Sequence, residues 1–313
     1  MGLIKQASEI EMQAKDWGLD EWFTEQVEVE KRQKTNHAND PKLTYLPGDL
    51  RESLIRELSF KSISEYEATK ALLLLADKVP DNINFDYMLT QIFDEGRHAK
   101  LFREHLVRIG FADIANVAGK MESLLWGKMT HMLETLRTYF DKWVVLKNDY
   151  IAGVLIITVV LEGVLAPTSE LSEIKWRPFD IVAAETQARA NADELRHLTV
   201  CANIVKMALE NDSSLKQPAF ECIEEGLALW NQVSVDDLFV EREMFYQRGM
   251  QSNLRFIEGY ELAPGMLLSD STVESRLELS HSLVEQMQQS RLELSHSLVE
   301  QMQQSRLEYM GLV

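Results

Sequence analysis

Two stretches decide how this chain reads: Asp94-Glu95-Gly96-Arg97-His98 and Asp193-Glu194-Leu195-Arg196-His197. In each, a Glu and a His stand three apart, so on a helix both side chains leave from one face. A carboxylate oxygen and an imidazole nitrogen at that spacing can grip one metal ion. A single Glu-x-x-His is weak evidence, because solvated helices often carry one by chance. Two copies sharing Asp-Glu-x-Arg-His, on separate helical patterns, are much stronger.

Helical bundles that hold two metal ions need one further carboxylate from each of the other two core helices. Glu162 meets that need from within the apolar run Leu155-Ile156-Ile157-Thr158-Val159-Val160-Leu161-Glu162-Gly163-Val164-Leu165. A lone ionised carboxylate there would cost several kcal/mol unless something compensated it. A metal ion is one compensation; the bland alternative is a partly exposed Glu at a bundle edge. For the remaining helix, Glu65 and Glu67 compete and cannot share a face. Steps of three and four through Glu65 meet Leu54, Leu58, Lys61, Ala68, Leu72, Leu75 and Val79, whereas those through Glu67 meet Arg56, Phe60, Ile63, Lys70, Leu74 and Lys78. The first stripe is the more apolar, so Glu65 is preferred.

Four carboxylates with two imidazoles form a hard, oxygen-rich set that suits iron or manganese better than zinc or copper. Glu95 and Glu194 are expected to bridge two ions, with Glu65 and His98 completing one and Glu162 and His197 the other. Asp94 and Asp193 would accept a hydrogen bond from the non-ligating nitrogen of the histidine on the opposite helix. Arg97 and Arg196 would hold those aspartates, although plain i,i+3 surface pairs account for the Asp and Arg residues equally well.

Around these motifs the text is helical, and few of its 313 residues are breakers: seven prolines and fourteen glycines. Residues 1–48 read as a polar lead-in with an aromatic-bearing helix near Trp17. Core helices are expected over 49–78, 85–109, 149–166 and 179–210, with a mostly helical connection over 111–147 and further helices over 218–232 and 235–260. No segment alternates apolar and polar residues for long, so no sheet is expected. The fold class is therefore all-α, with one bundle over 49–262 and a helical extension over 263–313.

That extension carries a tandem repeat. Ser275 to Gln289 reads SRLELSHSLVEQMQQ, Ser290 to Gln304 repeats it letter for letter, and a third copy begins at Ser305. Fifteen residues is close to four helical turns, so Leu277 and Leu292 fall on nearly one face. A lid, a homodimer contact or an idle duplication all fit, and His281 and His296, multiplied by repetition, are given no catalytic weight.

The formal charge of −18, with no basic run, argues against a general role on nucleic acid or anionic membranes. Cys201 and Cys222 lack a Cys-x-x-Cys spacing and read as small buried residues. The chain starts without a charged head and apolar run, and the most apolar stretch, 151–167, is interrupted by Glu162 and short for a span. A soluble, cytoplasmic protein is expected.

Taken together, Glu65-Tyr66-x-Ala68, Asp94-Glu95-x-Arg97-His98, Glu162 and Asp193-Glu194-x-Arg196-His197 resemble the ferritin-like di-iron carboxylate superfamily, over about residues 50–210. Within it the pattern is most similar to hydroxylase subunits of bacterial multicomponent monooxygenases and to di-iron N-oxygenases. The resemblance implies a ferritin-like four-helix bundle with additional helices. It also implies a diferrous centre that reduces oxygen to a peroxo-type species, oxidising a bound small molecule at carbon or nitrogen. A separate reductase would supply electrons. Three departures stand out: Ala166, followed by Pro167, where those hydroxylases carry a Thr; Phe102 where ribonucleotide reductase subunits carry a radical Tyr; and Ala190 where arylamine N-oxygenases carry an extra His. A radical-generating subunit and a non-catalytic metal-binding helical protein are the alternatives. By helical spacing from the ligands, Phe102, Thr158, Leu161, Ala190 and Cys201 are the candidate pocket residues. Their small or apolar character favours an uncharged or partly apolar reacting centre, and each also fits plain core.

Overall fold

The computed structural model describes residues 11–33, 46, 48–163, 165, 172, 173, 175–177, 179–230, 232, 241–246, 248, 249, 304 and 306–312. Among these the regular structure is entirely helical. After a short turn at Ala14–Asp16 come α1 (Leu19–Gln33), α2 (Gly48–Ala76), α3 (Asn82–Arg108), α4 (Val117–Phe140), α5 (Tyr150–Leu155), α6 (Ile181–Asn211) and α7 (Lys216–Trp230).

Three of the helix starts are set by aspartates. Asp81, after the Val79-Pro80 break, accepts the backbone N–H of Asn84 at 2.9 Å; Asp149 caps Ala152 and Asp180 caps Ala183 in the same way. Each satisfies an N–H that the first helical turn leaves without a partner. Beyond α3 the chain turns through Gly110 at φ 73°, a left-handed conformation that costs glycine little, and Arg51 donates two hydrogen bonds to the Ile109 carbonyl.

One expectation needs correction. The segment after Asp149 is not a regular α-helix to residue 166: α5 lasts six residues and continues as a π-helix, Ile156–Glu162. α4 likewise passes into a π-helix, Asp141–Leu146. A π turn holds an extra residue per turn, a change of pitch to which apolar periodicity is nearly blind. Ala166, Pro167, the repeats over 275–303 with His281 and His296, and most of 235–260 lie outside the described residues.

The core has two apolar ends. One joins Leu72 and Leu75 of α2, Tyr87 and Met88 of α3, Val154 to Ile157 with Val159 and Val160, and Val200 to Leu209 of α6. The other joins Leu50 to Ile63 of α2, Phe102 and Leu106 of α3, Met121 to Met132 of α4, and Ala183 to Ala190 of α6. Thus α2 and α6 run from the second cluster to the first, and α3 runs back. Complete burial of one leucine in either cluster, such as Leu54 or Leu75, stabilises by about 2 kcal/mol. Between the clusters each helix passes a charged waist, at Glu65, at Glu95 and His98, and at Glu194 and His197. Residues 306–312 pack back on the first cluster, with Leu307, Met310 and Leu312 against it.

Candidate metal centre

Glu95 and His98 are buried on one face of α3, and Glu194 and His197 on one face of α6, as their three-residue spacing dictates. Glu65 faces them from α2, and Glu162 from the last turn of the π segment. Two overlapping groups result, Glu65, Glu95, His98 and Glu194, and Glu95, Glu162, Glu194 and His197; within each, one ligand atom per residue lies within 4.8 Å of the others. Either group could hold a metal ion, and Glu95 and Glu194 belong to both. His98 Nδ1 stands 3.6 Å from Glu95, 3.8 Å from Glu194 and 3.9 Å from Glu65. His197 Nδ1 stands 3.1 Å from Glu95, 3.8 Å from Glu194 and 3.9 Å from Glu162.

The donor set fits cations. Glu95 Oε1, Glu162 Oε2, Glu194 Oε2 and the Nδ1 atoms of His98 and His197 are buried without a hydrogen-bond partner. Such orphans are rare in folded proteins, and five in one place are what a bound cation or shared protons could satisfy.

The opposite edges of both imidazoles are fixed. His98 Nε2 donates to Asp193 at 3.0 Å and His197 Nε2 to Asp94 at 3.3 Å, so each histidine is held by the aspartate of the facing helix. In the neutral imidazole that leaves each Nδ1 with a lone pair that a cation could take. Arg97 donates to Asp94 at 3.1 Å and also to Asp193; Arg196 donates to Asp193 at 3.1 Å and also to Asp94. Arg97–Asp94 and Arg196–Asp193 are i,i+3 pairs along one helix, while Arg97–Asp193 and Arg196–Asp94 tie α3 to α6.

Electrostatics show the demand for positive charge. Burial, reinforced by Glu95, pushes Glu65 up to about 8, and burial with Glu194 and Glu95 beside it pushes Glu162 well up. Burial disfavours charge on His98 and His197, yet their carboxylate partners outweigh it and raise both. Asp193 is held below the usual carboxylate range: burial alone would raise it, but His98, Arg97 and Arg196 prevail. The cluster keeps protons at Glu65, Glu162 and the two imidazoles.

The other candidates divide. Glu67 leaves the site and pairs with Arg137 at 2.8 Å and Lys70 at 2.5 Å. The five pocket candidates are not gathered in one place: Leu161 and Cys201 belong to the first apolar cluster, with Thr158 against the Cys201 thiol, while Phe102 and Ala190 belong to the second. They flank the carboxylate layer on opposite sides.

Several participants escape a reading of motifs. Trp22 of α1 donates to Asp94 at 2.9 Å, Glu25 accepts from Arg196 at 3.2 Å, and Trp17 lies under the Arg196 guanidinium. Gln91 donates to Glu162 at 3.0 Å. A second buried pair, His105 Nε2 with Asp180 at 2.8 Å, joins α3 to the start of α6. Gln91 could have been found as the residue one turn before Glu95 on the ligand face; nothing in the sequence links Trp22 to Asp94.

No described helix is long and apolar enough to cross a membrane. In comparisons with known proteins, no family model matches this chain and no curated protein matches it.

Proposed function

We propose that this protein is an oxygen-activating di-iron oxygenase of the ferritin-like kind that oxidises a small organic molecule. The observation that supports this reading is the pair of overlapping ligand groups sharing Glu95 and Glu194. Glu65 and His98 would hold one ion, Glu162 and His197 the other, and the shared glutamates both. Four carboxylates of six ligands favour iron, with manganese next, over zinc or copper. Bound in the ferrous state, the two ions would supply two electrons toward the reduction of dioxygen, and a separate reductase would restore them.

The chain's own residues do the rest. Asp94 and Asp193 hold the imidazoles in one tautomer and orientation. His197 with Arg196 keeps Asp94 ionised, His98 with Arg97 and Arg196 keeps Asp193 ionised, and Trp22 donates a hydrogen bond to Asp94. The apolar clusters on either side exclude water, which favours a substrate whose reacting group, C–H or amine nitrogen, is uncharged. Glu65 and Glu162 would release their protons as cations enter, coupling metal uptake to proton release.

The test is metal analysis of protein produced with iron, followed by addition of oxygen to the anaerobic ferrous form. Close to two irons per chain and a transient visible absorption band are expected. Less than half an equivalent of any metal, with melting indifferent to chelator, would sink the reading.

A further inference from the structure

Beside Glu162 the apolar core is interrupted by a strip of polar side chains. Gln91, on α3, donates from Nε2 to Glu162 Oε1 at 3.0 Å, and its Oε1 accepts from the Cys201 thiol at 3.6 Å. The Tyr87 hydroxyl meets the same sulfur at 3.8 Å. Tyr87, Gln91 and Cys201 are each no more than 1% exposed. Burying an amide and a thiol amid valines and isoleucines costs free energy unless both ends are paired, and here they are paired in series.

We infer that Gln91, oriented by Cys201, is a positioning residue that occupies one oxygen of Glu162 and leaves the other for a cation. This rests on the metal-centre reading above. The chemistry of the two partners assigns the direction of the amide. Burial pushes the Cys201 thiol up to about 12, so it stays protonated and donates to the amide oxygen. A carboxylate bound to a cation is ionised and accepts, so the amide N–H₂ turns toward Glu162. Glu162 Oε1 is thereby engaged, and Oε2 is the oxygen with no hydrogen-bond partner.

The other outer ligand has no such clamp. Among the described residues the Glu65 carboxyl meets other members of the ligand set, a hydrogen bond to Glu95 and His98 Nδ1 at 3.9 Å, and no amide or hydroxyl from outside that set is hydrogen-bonded to it. The two ion positions are therefore unequal, and loss of Gln91 should weaken one of them alone. Outer partners of metal ligands typically contribute 10–100-fold to affinity.

The experiment is an anaerobic titration of the metal-free full chain with Co²⁺, read by absorbance and calorimetry, with thermal melting of each metal-free protein alongside. The wild type should take up two ions. Gln91→Leu should keep one at wild-type affinity and bind the other roughly 10–100-fold more weakly. Cys201→Ala, which leaves the amide free to turn, should weaken the same ion, and Cys201→Ser, which retains a donor, should restore it. If Gln91→Leu binds both ions as the wild type does, or weakens both alike, the inference is overturned while the metal centre stands. A wild type that takes up no Co²⁺ overturns both. Should melting show Gln91→Leu unfolded, the Cys201 pair decides, and identical Co²⁺ binding by the Ala and Ser variants overturns the inference.

Discussion

Glu65 and Glu67 leave α2 in different directions and end in different surroundings. Glu65 turns into the waist of the bundle toward His98, whereas Glu67 turns out to Arg137 and Lys70. Glu65→Ala is expected to lower bound metal from two ions toward one, measured by metal analysis after dialysis. Glu67→Ala should leave that stoichiometry intact and shift stability by less than about 1 kcal/mol, since exposed ion pairs contribute little. Equal metal loss in both variants would contradict this assignment. Asp94→Asn and Asp193→Asn should each weaken metal binding roughly 10–100-fold, because each removes the carboxylate that orients one histidine. Competition with a chelator measures that loss.

At the scale of elements, the π segment Ile156–Glu162 sets where the third carboxylate arrives. One residue corresponds to about 100° of rotation around a helix, so a lost π turn would carry Glu162 away from Glu95 and Glu194. Deletion of Val159 is expected to abolish binding of the ion that Glu162 helps hold while far-UV circular dichroism stays helical; retained two-ion binding would show the π turn to be dispensable. Against this segment packs α7, which comes close only because residue 226 is glycine. A Cβ there would stand 2.6 Å from both the Tyr139 hydroxyl and Val160 Cγ2. Gly226→Ala should therefore cost about 1–3 kcal/mol of stability through overpacking, read by denaturant titration.

Over the whole molecule, the waist couples stability to pH. Glu65 at about 8, with Glu162, His98 and His197 also raised, means that the metal-free native state binds more protons than the unfolded chain. Stability from these groups is fully present below their unfolded values, about 4.5 for Glu and 6.5 for His, and is lost as pH rises through the folded values. Asp94, Asp193 and Glu95 are lowered, so their contribution disappears instead as pH falls through the acid range. Cations entering the proposed centre would replace the protons of the first set. The melting temperature of metal-free protein should fall between about pH 5 and pH 8, and the gap to the metal-bound protein should widen over that range. A gap independent of pH would count against the waist as the seat of metal binding.

Much of this was legible in the sequence by itself. Helical periodicity and scarce breakers determine the all-α class, because those signals are local. The Glu-x-x-His spacing places Glu95 with His98 and Glu194 with His197, since a three-residue step on a helix is a fixed geometry. The apolar stripe through Glu65 and the apolar run around Glu162 point both carboxylates inward for the same reason. Other features were decided only by tertiary structure. The π turn at Ile156–Glu162 leaves no mark in an unbroken run of apolar residues. Trp22 on Asp94, Gln91 between Cys201 and Glu162, and the Arg97 and Arg196 crossings depend on which helices meet and at what height. Those pairings span the chain, and a one-dimensional pattern carries no term for distance between its distant parts.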